Sequence, residues 1–252
     1  MTDSDWHLCA ETEAERQAFP TLLTTWTSRG EEINDNLMSR LTKLEVAGKH
    51  YYIKAYKKRG KSFRRFFDRS RIRSEWENLF HLNEMNIPTL RIVAYGEETL
   101  FCGKRMGAMV TEELTGVQDL AAIYRKGAAV LQQKNWVNHV IDRLSVHVRT
   151  MHQQKFVHGD LKWRNILVNS SEDTEVYIFD CPLGRQLKSP FWAKYFERCV
   201  VKDLACLDKM AKQALSRTQR LKFYFKYAGL VKLNPEAKAN IRKILSFFEG
   251  RE

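Results

Sequence analysis

The chain has 252 residues, a formal net charge of +12, 44% hydrophobic residues and only five prolines. That length and apolar content suit one two-lobed domain or two small ones with a sizeable core, and they exclude a disordered chain. The charge favours anionic partners (nucleotide, phosphorylated sugar, acidic lipid or nucleic acid) without choosing among them.

Met1 to Pro20 is acidic and lacks an apolar core segment, so no secretory signal is expected. No stretch approaches the roughly 20 apolar residues of a membrane span. The cysteines Cys9, Cys102, Cys181, Cys199 and Cys206 form no CxxC pair. Reduced thiols in a cytosolic protein are expected, with neither a zinc site nor a disulfide framework.

Glu11 to Phe19 reads as a short helix ending before Pro20, and Leu22 to Thr27 as a first strand with Gly30 in the turn after it. Leu37 to Val46 and His50 to Tyr56 read as a hairpin turned at Ala47-Gly48-Lys49, because β-favouring residues flank that turn. The second strand carries Lys54 inside an apolar run. By itself such a lysine also fits the solvent face of a half-buried strand. A basic segment follows, with Lys57, Lys58, Arg59, Lys61, Arg64, Arg65, Arg69, Arg71 and Arg73 around Phe63, Phe66 and Phe67. It reads either as a surface for an anionic membrane, glycolipid or nucleic acid, or as a solvated helix entry with its phenylalanines in the core.

Ser74 is a candidate cap for a helix over Glu75–Leu82, which Asn86-Ile87-Pro88 ends. Glu75 is the candidate partner of Lys54, with Glu77 second. Leu90 to Tyr95 and Met106 to Glu113 read as two more strands. Thr111 to Gly116 then forms a hinge whose backbone, at Glu112 and Leu114, is placed to hold an adenine. Residues 118–155 read as helical, with Val137, Val140, Ile141, Leu144, Val148 and Met151 recurring at core spacing. His152, at the end of that run, reads as a packing or hydrogen-bonding residue.

The densest chemistry lies in His158-Gly159-Asp160-Leu161-Lys162-Trp163-Arg164-Asn165, followed by an apolar strand. Asp160 and Asn165 are five apart, and Asp180 follows Asn165 by fifteen, a gap that suits a hairpin of two short strands. Phosphoryl transfer needs this set: a carboxylate for the attacking hydroxyl, a cation for the moving charge, and an amide with a second carboxylate for metal. The remaining chain reads as mostly helical and basic, with Lys202, Lys209, Lys212, Arg217, Arg220, Lys222 and Lys226 as candidates for a basic face or for ordinary solvated helix surface.

In that order, the lysine strand, helix glutamate, loop and second carboxylate resemble the protein-kinase-like superfamily over roughly residues 30–210. The His-Gly-Asp variant is similar to the small-molecule and atypical branches, and within them most similar to the lipopolysaccharide core (heptose/Kdo) kinases. The resemblance implies an α+β, bilobal protein-kinase-like fold, with a β-rich N-lobe over 1–114 and a compact, mostly helical C-lobe over 115–252. It implies ATP and Mg2+ as cofactors and a sugar of the lipopolysaccharide inner core as acceptor. Lys54, oriented by Glu75, is expected on the ATP phosphates, and Glu112 and Leu114 on the nucleotide. Asp160 is expected as catalytic base, Lys162 on the transferring phosphoryl, and Asn165 and Asp180 on magnesium.

Three departures accompany the resemblance. No GxGxxG precedes Lys54, Cys181-Pro182 follows Asp180 in place of Phe-Gly, and no Ala-Pro-Glu follows. The last two argue against a peptide platform and for a small or glycolipid acceptor. The expected setting is cytoplasmic, with peripheral contact at the inner face of the cytoplasmic membrane, and nucleic acid stays open as a partner. The competing readings are a RIO-like atypical protein kinase or ATPase and a pseudokinase binding module.

Overall fold

The computed structural model describes residues 5–56, 70–99, 105–171 and 174–250. The chain divides into two compact units, one of residues 1–79 and 90–115, the other of 80–89 and 116–252. The basic-aromatic stretch from Lys57 to Arg69 lies outside the described residues.

The first unit is built on an antiparallel sheet. Its strands are β1 (Asp5–Leu8), β2 (Glu31–Asp35), β3 (Ser39–Val46), β4 (Lys49–Tyr56), β5 (Ile92–Thr99) and β6 (Arg105–Glu112), in the order β1-β5-β6-β4-β3-β2. Helix α1 (Glu13–Ala18) starts at a capping box between Thr12 and Glu15. Leu22–Thr27, expected as a strand, is helix α2. Thr21 accepts a hydrogen bond from the Thr24 amide and caps it, and Leu22 and Thr25, three apart, bury one face. Capping and one-sided burial thus override the β preference of its threonines.

The β3–β4 hairpin turns on two residues, Ala47 and Gly48, at φ 51° and 78°, with Val46 opposite Lys49. Positive φ at both central positions matches the twist of the strands. β3 starts at Ser39, two residues later than expected, because the Asn36 Oδ1 accepts hydrogen bonds from the amides of Met38 and Ser39 and holds a turn there. Gly30 is the entry to β2. A Cβ there would stand 2.3 Å from the Lys43 carbonyl oxygen, so close strand approach accounts for the glycine.

Helix α3 (Arg71–Glu84) begins four residues before Glu75. Its first turn is capped by Ser70, whose hydroxyl accepts from the Arg73 amide, and Ser74 lies inside the helix. Arg73, counted above in the basic segment, is paired with Glu97 and Asp5, each at 2.7 Å. Asn86, at φ 56°, turns the chain after α3.

A buried ion network ties α1 to the sheet. Glu15 has no exposed surface, and its carboxylate accepts from Arg91, from the Tyr51 hydroxyl at 2.9 Å and from the Glu11 amide at 2.8 Å. Arg91 also reaches Glu112 at 2.6 Å. Burial pushes the Glu15 carboxyl up, but the bonds from Arg91, the Glu11 amide, Tyr51 and the Thr12 amide more than cancel this and hold it at about 2. Arg91→Ala is expected to cost about 2–3 kcal/mol, since it leaves a buried carboxylate without its cation. Glu15 has a folded pKa below its unfolded value of about 4.5, so its contribution is present above that pH and is lost as pH falls toward 2. Urea midpoints at pH 7 and pH 3 check both statements: the gap between wild type and Arg91→Ala is expected to narrow in acid, and an equal gap at both pH values contradicts this account.

The second unit contains β7 (Val117–Asp119), α4 (Leu120–Arg125), α5 (Lys134–Gln153), β8 (Phe156–Val157), β9 (Ile166–Asn169), β10 (Val176–Ile178), β11 (Arg185–Gln186), α6 (Ala193–Ala214), α7 (Arg217–Ala228) and α8 (Pro235–Leu245). Residues 118–155 are therefore not helical throughout. Val117–Asp119 pairs with Leu167–Asn169, and Asp119 then caps α4 through the Ala122 amide at 2.7 Å. The six apolar positions expected in the core of α5 are all buried. Three of the residues expected on a basic face are in ion pairs: Arg220 forks onto Asp208, and Lys222 and Lys226 reach Asp142. Among the described residues no helix is long and apolar enough to cross a membrane.

Candidate active site

In the first unit the alternation of β4 places Tyr51, Ile53 and Ala55 in the core and Lys54 on the opposite face. There the Lys54 Nζ donates to the Glu75 Oε1 of α3 at 2.7 Å. Glu75 is 3% exposed, and its second oxygen accepts from the Tyr56 hydroxyl at 2.7 Å. The pairing falls on Glu75 and not on Glu77. Tyr56, two residues beyond Lys54 on the same strand face, is a member of this cluster that the sequence reading missed. Its signal was the alternation itself.

At the end of β6 the Glu112 side chain is engaged by Lys49 at 2.7 Å and by Arg91. The Glu112 and Glu113 amides donate to the carbonyls of Arg91 and His50. The Glu112 carboxylate and the Glu112 and Glu113 amides are therefore already engaged within the sheet region. The turn between β2 and β3 contains no glycine, and the amides of Met38 and Ser39 face Asn36, so it is not a loop of free amides for phosphate.

In the second unit the loop of Asp160 is held from behind. Asp203 of α6, with no exposed surface, accepts from the His158 amide at 2.7 Å and from the Gly159 amide at 2.9 Å. The His158 Nε2 lies 3.1 Å from the Phe179 carbonyl, and its Nδ1 lies 3.3 Å from the Asp160 amide. This pair of partners fits a neutral ring that donates at Nε2 and accepts at Nδ1. Burial depresses the His158 pKa and keeps the ring neutral, against the opposing pull of Asp203, the Phe179 carbonyl, Asp180 and Asp160. Gly159 adopts φ 80°, and a Cβ there would stand 2.8 Å from the Leu183 carbonyl oxygen. The glycine in His-Gly-Asp is thus required both by its backbone angle and by the close passage of Leu183.

The Lys162 Nζ is 2.7 Å from the Asp160 Oδ1, and the Arg164 guanidinium is 3.3 Å from its Oδ2. The Asn165 Nδ2 donates to the Asp160 carbonyl at 2.8 Å, so the amide oxygen is the atom through which Asn165 could meet a metal. The Phe179 amide donates to the Asn165 carbonyl at 3.1 Å, so the β9–β10 hairpin brings Asp180 beside the loop. Asp180 has φ 55°, a conformation that costs an ordinary side chain energy and recurs at functional positions. Among the described residues no group of three or more His, Cys, Asp or Glu is placed to hold a metal. A pair of oxygen ligands such as Asn165 and Asp180 suits magnesium, which takes one or two protein ligands and completes its shell with phosphate oxygens and water.

Asp203 was also missed by sequence reading. It is an acid at helical spacing from Phe196, Cys199, Val200, Cys206 and Leu207, on an otherwise apolar face. His152 behaves as expected, buried and 2.8 Å from the Tyr227 hydroxyl.

A family model described as the lipopolysaccharide kinase (Kdo/WaaP) family matches residues 25–227. Among solved structures, one described as WaaP in complex with acyl carrier protein is similar at 21% identity, with a TM-score of 0.71 over 96% of this chain and 96% of that chain. That likeness carries the α+β protein-kinase-like fold. Another, Rad53 1-466 in complex with AMP-PNP, has 18% identity and a TM-score of 0.49 over 85% of this chain and 59% of that one. No curated protein matches the chain.

Proposed function

The chain belongs to the lipopolysaccharide kinase (Kdo/WaaP) family and is a phosphotransferase with a sugar hydroxyl as acceptor; from that premise we propose that it transfers the γ-phosphate of ATP to a heptose or Kdo of the inner core. The observation that carries this reading is the loop around Asp160: a carboxylate contacted by Lys162, with its backbone fixed by Asn165. In this reading the Asp160 carboxylate orients the sugar hydroxyl and takes its proton late, because the transfer is largely dissociative. Lys162 stabilises charge on the moving phosphoryl group. Lys54, held by Glu75 and Tyr56, neutralises the ATP phosphates, and the Glu112 carbonyl and Leu114 amide hold the adenine. Asn165 and Asp180 would hold magnesium, which when bound neutralises phosphate charge. The setting we propose is the inner face of the cytoplasmic membrane, where a glycolipid acceptor bearing carboxylates and phosphates suits a chain of net charge +12.

The test is transfer of labelled γ-phosphate to purified lipopolysaccharide and to defined core acceptors, with and without magnesium. Label in the core sugars that requires magnesium is expected, and Lys54→Met is expected to lower kcat/KM for ATP about a hundredfold. Label on protein alone favours the RIO-like reading. Tight ATP binding without turnover on any acceptor favours the pseudokinase.

A protein partner fits a second feature. The second unit has a mostly apolar pocket of about 390 Å3, open to solvent on one side and lined by Leu120, Val140, Leu144, Trp163, Leu207 and Phe223 among others. This size and lining suit a hydrocarbon chain. Together with the partner named for the similar structure, they support an acylated carrier protein as partner. Native mass spectrometry of the protein mixed with such a carrier is expected to give a 1:1 complex that the unacylated carrier does not form; equal binding of both would remove the role of the cavity.

A further inference from the structure

The geometry points to the tip Pro190–Tyr195 of the second unit as a docking surface for an anionic lipid bilayer. It rests on the proposed function only for the location of the acceptor; its physical basis is separate. Every residue from Lys188 to Tyr195 is exposed. Phe191 is 84% exposed, Trp192 46% and Tyr195 43%. Their rings pack on one another, Phe191 on Trp192 at 5.0 Å and Trp192 on Tyr195 at 5.9 Å. A single exposed aromatic is unremarkable in a folded protein; a contiguous group of three rings is not.

The tip is ordered from below. Pro190 opens a short helical turn, and the Trp192 amide donates to the Ser189 carbonyl. Phe196, one residue past the tip, is buried against Val157 and Leu187, with the Lys155 Nζ 4.7 Å from its ring centre. The rings are therefore presented without an ordering cost at the moment of contact. Around them stand the exposed cations Arg185, Lys188, Lys194 and Arg198, and the one acid in that stretch is Glu197.

Three features favour a bilayer over a protein. Trp and Tyr partition to the headgroup level while Phe reaches the acyl boundary, so the three rings match that gradient. Flanking cations add salt-sensitive attraction to anionic headgroups. Three ring faces on one short segment offer less than the roughly 800 Å2 per partner of a stable protein interface, whereas a bilayer demands no complementary shape. The tip also lies close in the chain to the acceptor loop: Leu183 touches Gly159, and the Leu187 amide donates to the Lys155 carbonyl. Docking through it would bring that loop toward a membrane-embedded sugar.

The experiment is co-sedimentation of the full chain with vesicles of phosphatidylglycerol and phosphatidylethanolamine, beside pure phosphatidylcholine, with no lipopolysaccharide present. Binding to the anionic vesicles that weakens with salt is expected, and Phe191→Ser combined with Trp192→Ser is expected to weaken it at least about tenfold. The same double variant is expected to keep its melting temperature and its transfer to a water-soluble, deacylated acceptor. Wild-type protein that ignores anionic vesicles overturns the proposal, as does a double variant that binds them undiminished or loses transfer to the soluble acceptor. A wild-type dimer that the double variant converts to monomer overturns it too, in favour of self-association. Failure of the kinase reading would appear separately, as no transfer by the wild type to the soluble acceptor.

Discussion

Asp160→Asn is expected to leave a folded protein whose phosphoryl transfer is slower by about 10²–10⁴. The substitution keeps the shape of the side chain and removes its charge. The loop does not depend on that carboxylate for its form: the Asp160 carbonyl holds the Asn165 side chain and accepts from the Lys162 amide, and its own amide faces His158. The carboxylate is partly exposed, and the side chains of Lys162 and Arg164 meet it. Surface pairs of that kind contribute little to stability, about 0–1 kcal/mol. The loss is therefore expected in kcat, with KM for ATP and the urea midpoint close to wild type. Single-turnover transfer to a core acceptor is the measurement that separates chemistry from binding. A variant that transfers at the wild-type rate would remove Asp160 from the reaction, and one that loses ATP affinity to the same degree would place its role in nucleotide binding.

The residues that were legible in the sequence are those whose spacing is local. Asp160 to Asn165 is one loop, and Lys54 stands on a strand whose alternation decides its face. Glu75 was named ahead of Glu77 and is the residue that pairs with Lys54, but the start of its helix was misplaced, because Ser70 and not Ser74 caps it. The strand expected at Leu22–Thr27 failed for a related reason. Its threonines favour β structure, but one of the flanking threonines, Thr21, serves as a cap, and capping is read from geometry that composition does not display. β7 was hidden because a three-residue strand gains its stability from a partner nearly fifty residues later, at Leu167–Asn169. Gly159 was noted only as part of the His-Gly-Asp variant. Its cause, the Leu183 carbonyl crossing beside it, lies in a segment that sequence alone does not bring near.

The same limit hid Asp203, and the second large effect is expected there. Asp203→Ala removes a carboxylate with no exposed surface and leaves the amides of His158 and Gly159 without their acceptor. A buried donor left unmade costs about 1–3 kcal/mol, and here two are left. Water does not readily replace the carboxylate, because the position has no exposed surface. Asp203→Asn is the informative companion. Its amide oxygen can accept from one of the two backbone donors, while its NH2 group opposes the other, so about half of the loss is expected. Both variants are expected to slow transfer, since Gly159 holds its φ of 80° between Asp203 on one side and Leu183 on the other, and Asp160 follows directly. Urea midpoints give the stability, and kcat measured on Asp203→Asn at a temperature where it is fully folded gives the positioning effect. A fall in kcat with KM for ATP unchanged is the signature of a misplaced loop. If Asp203→Ala unfolds within about 1 kcal/mol of the wild type, the two amides have found other acceptors, and the carboxylate is not what fixes the His-Gly-Asp backbone.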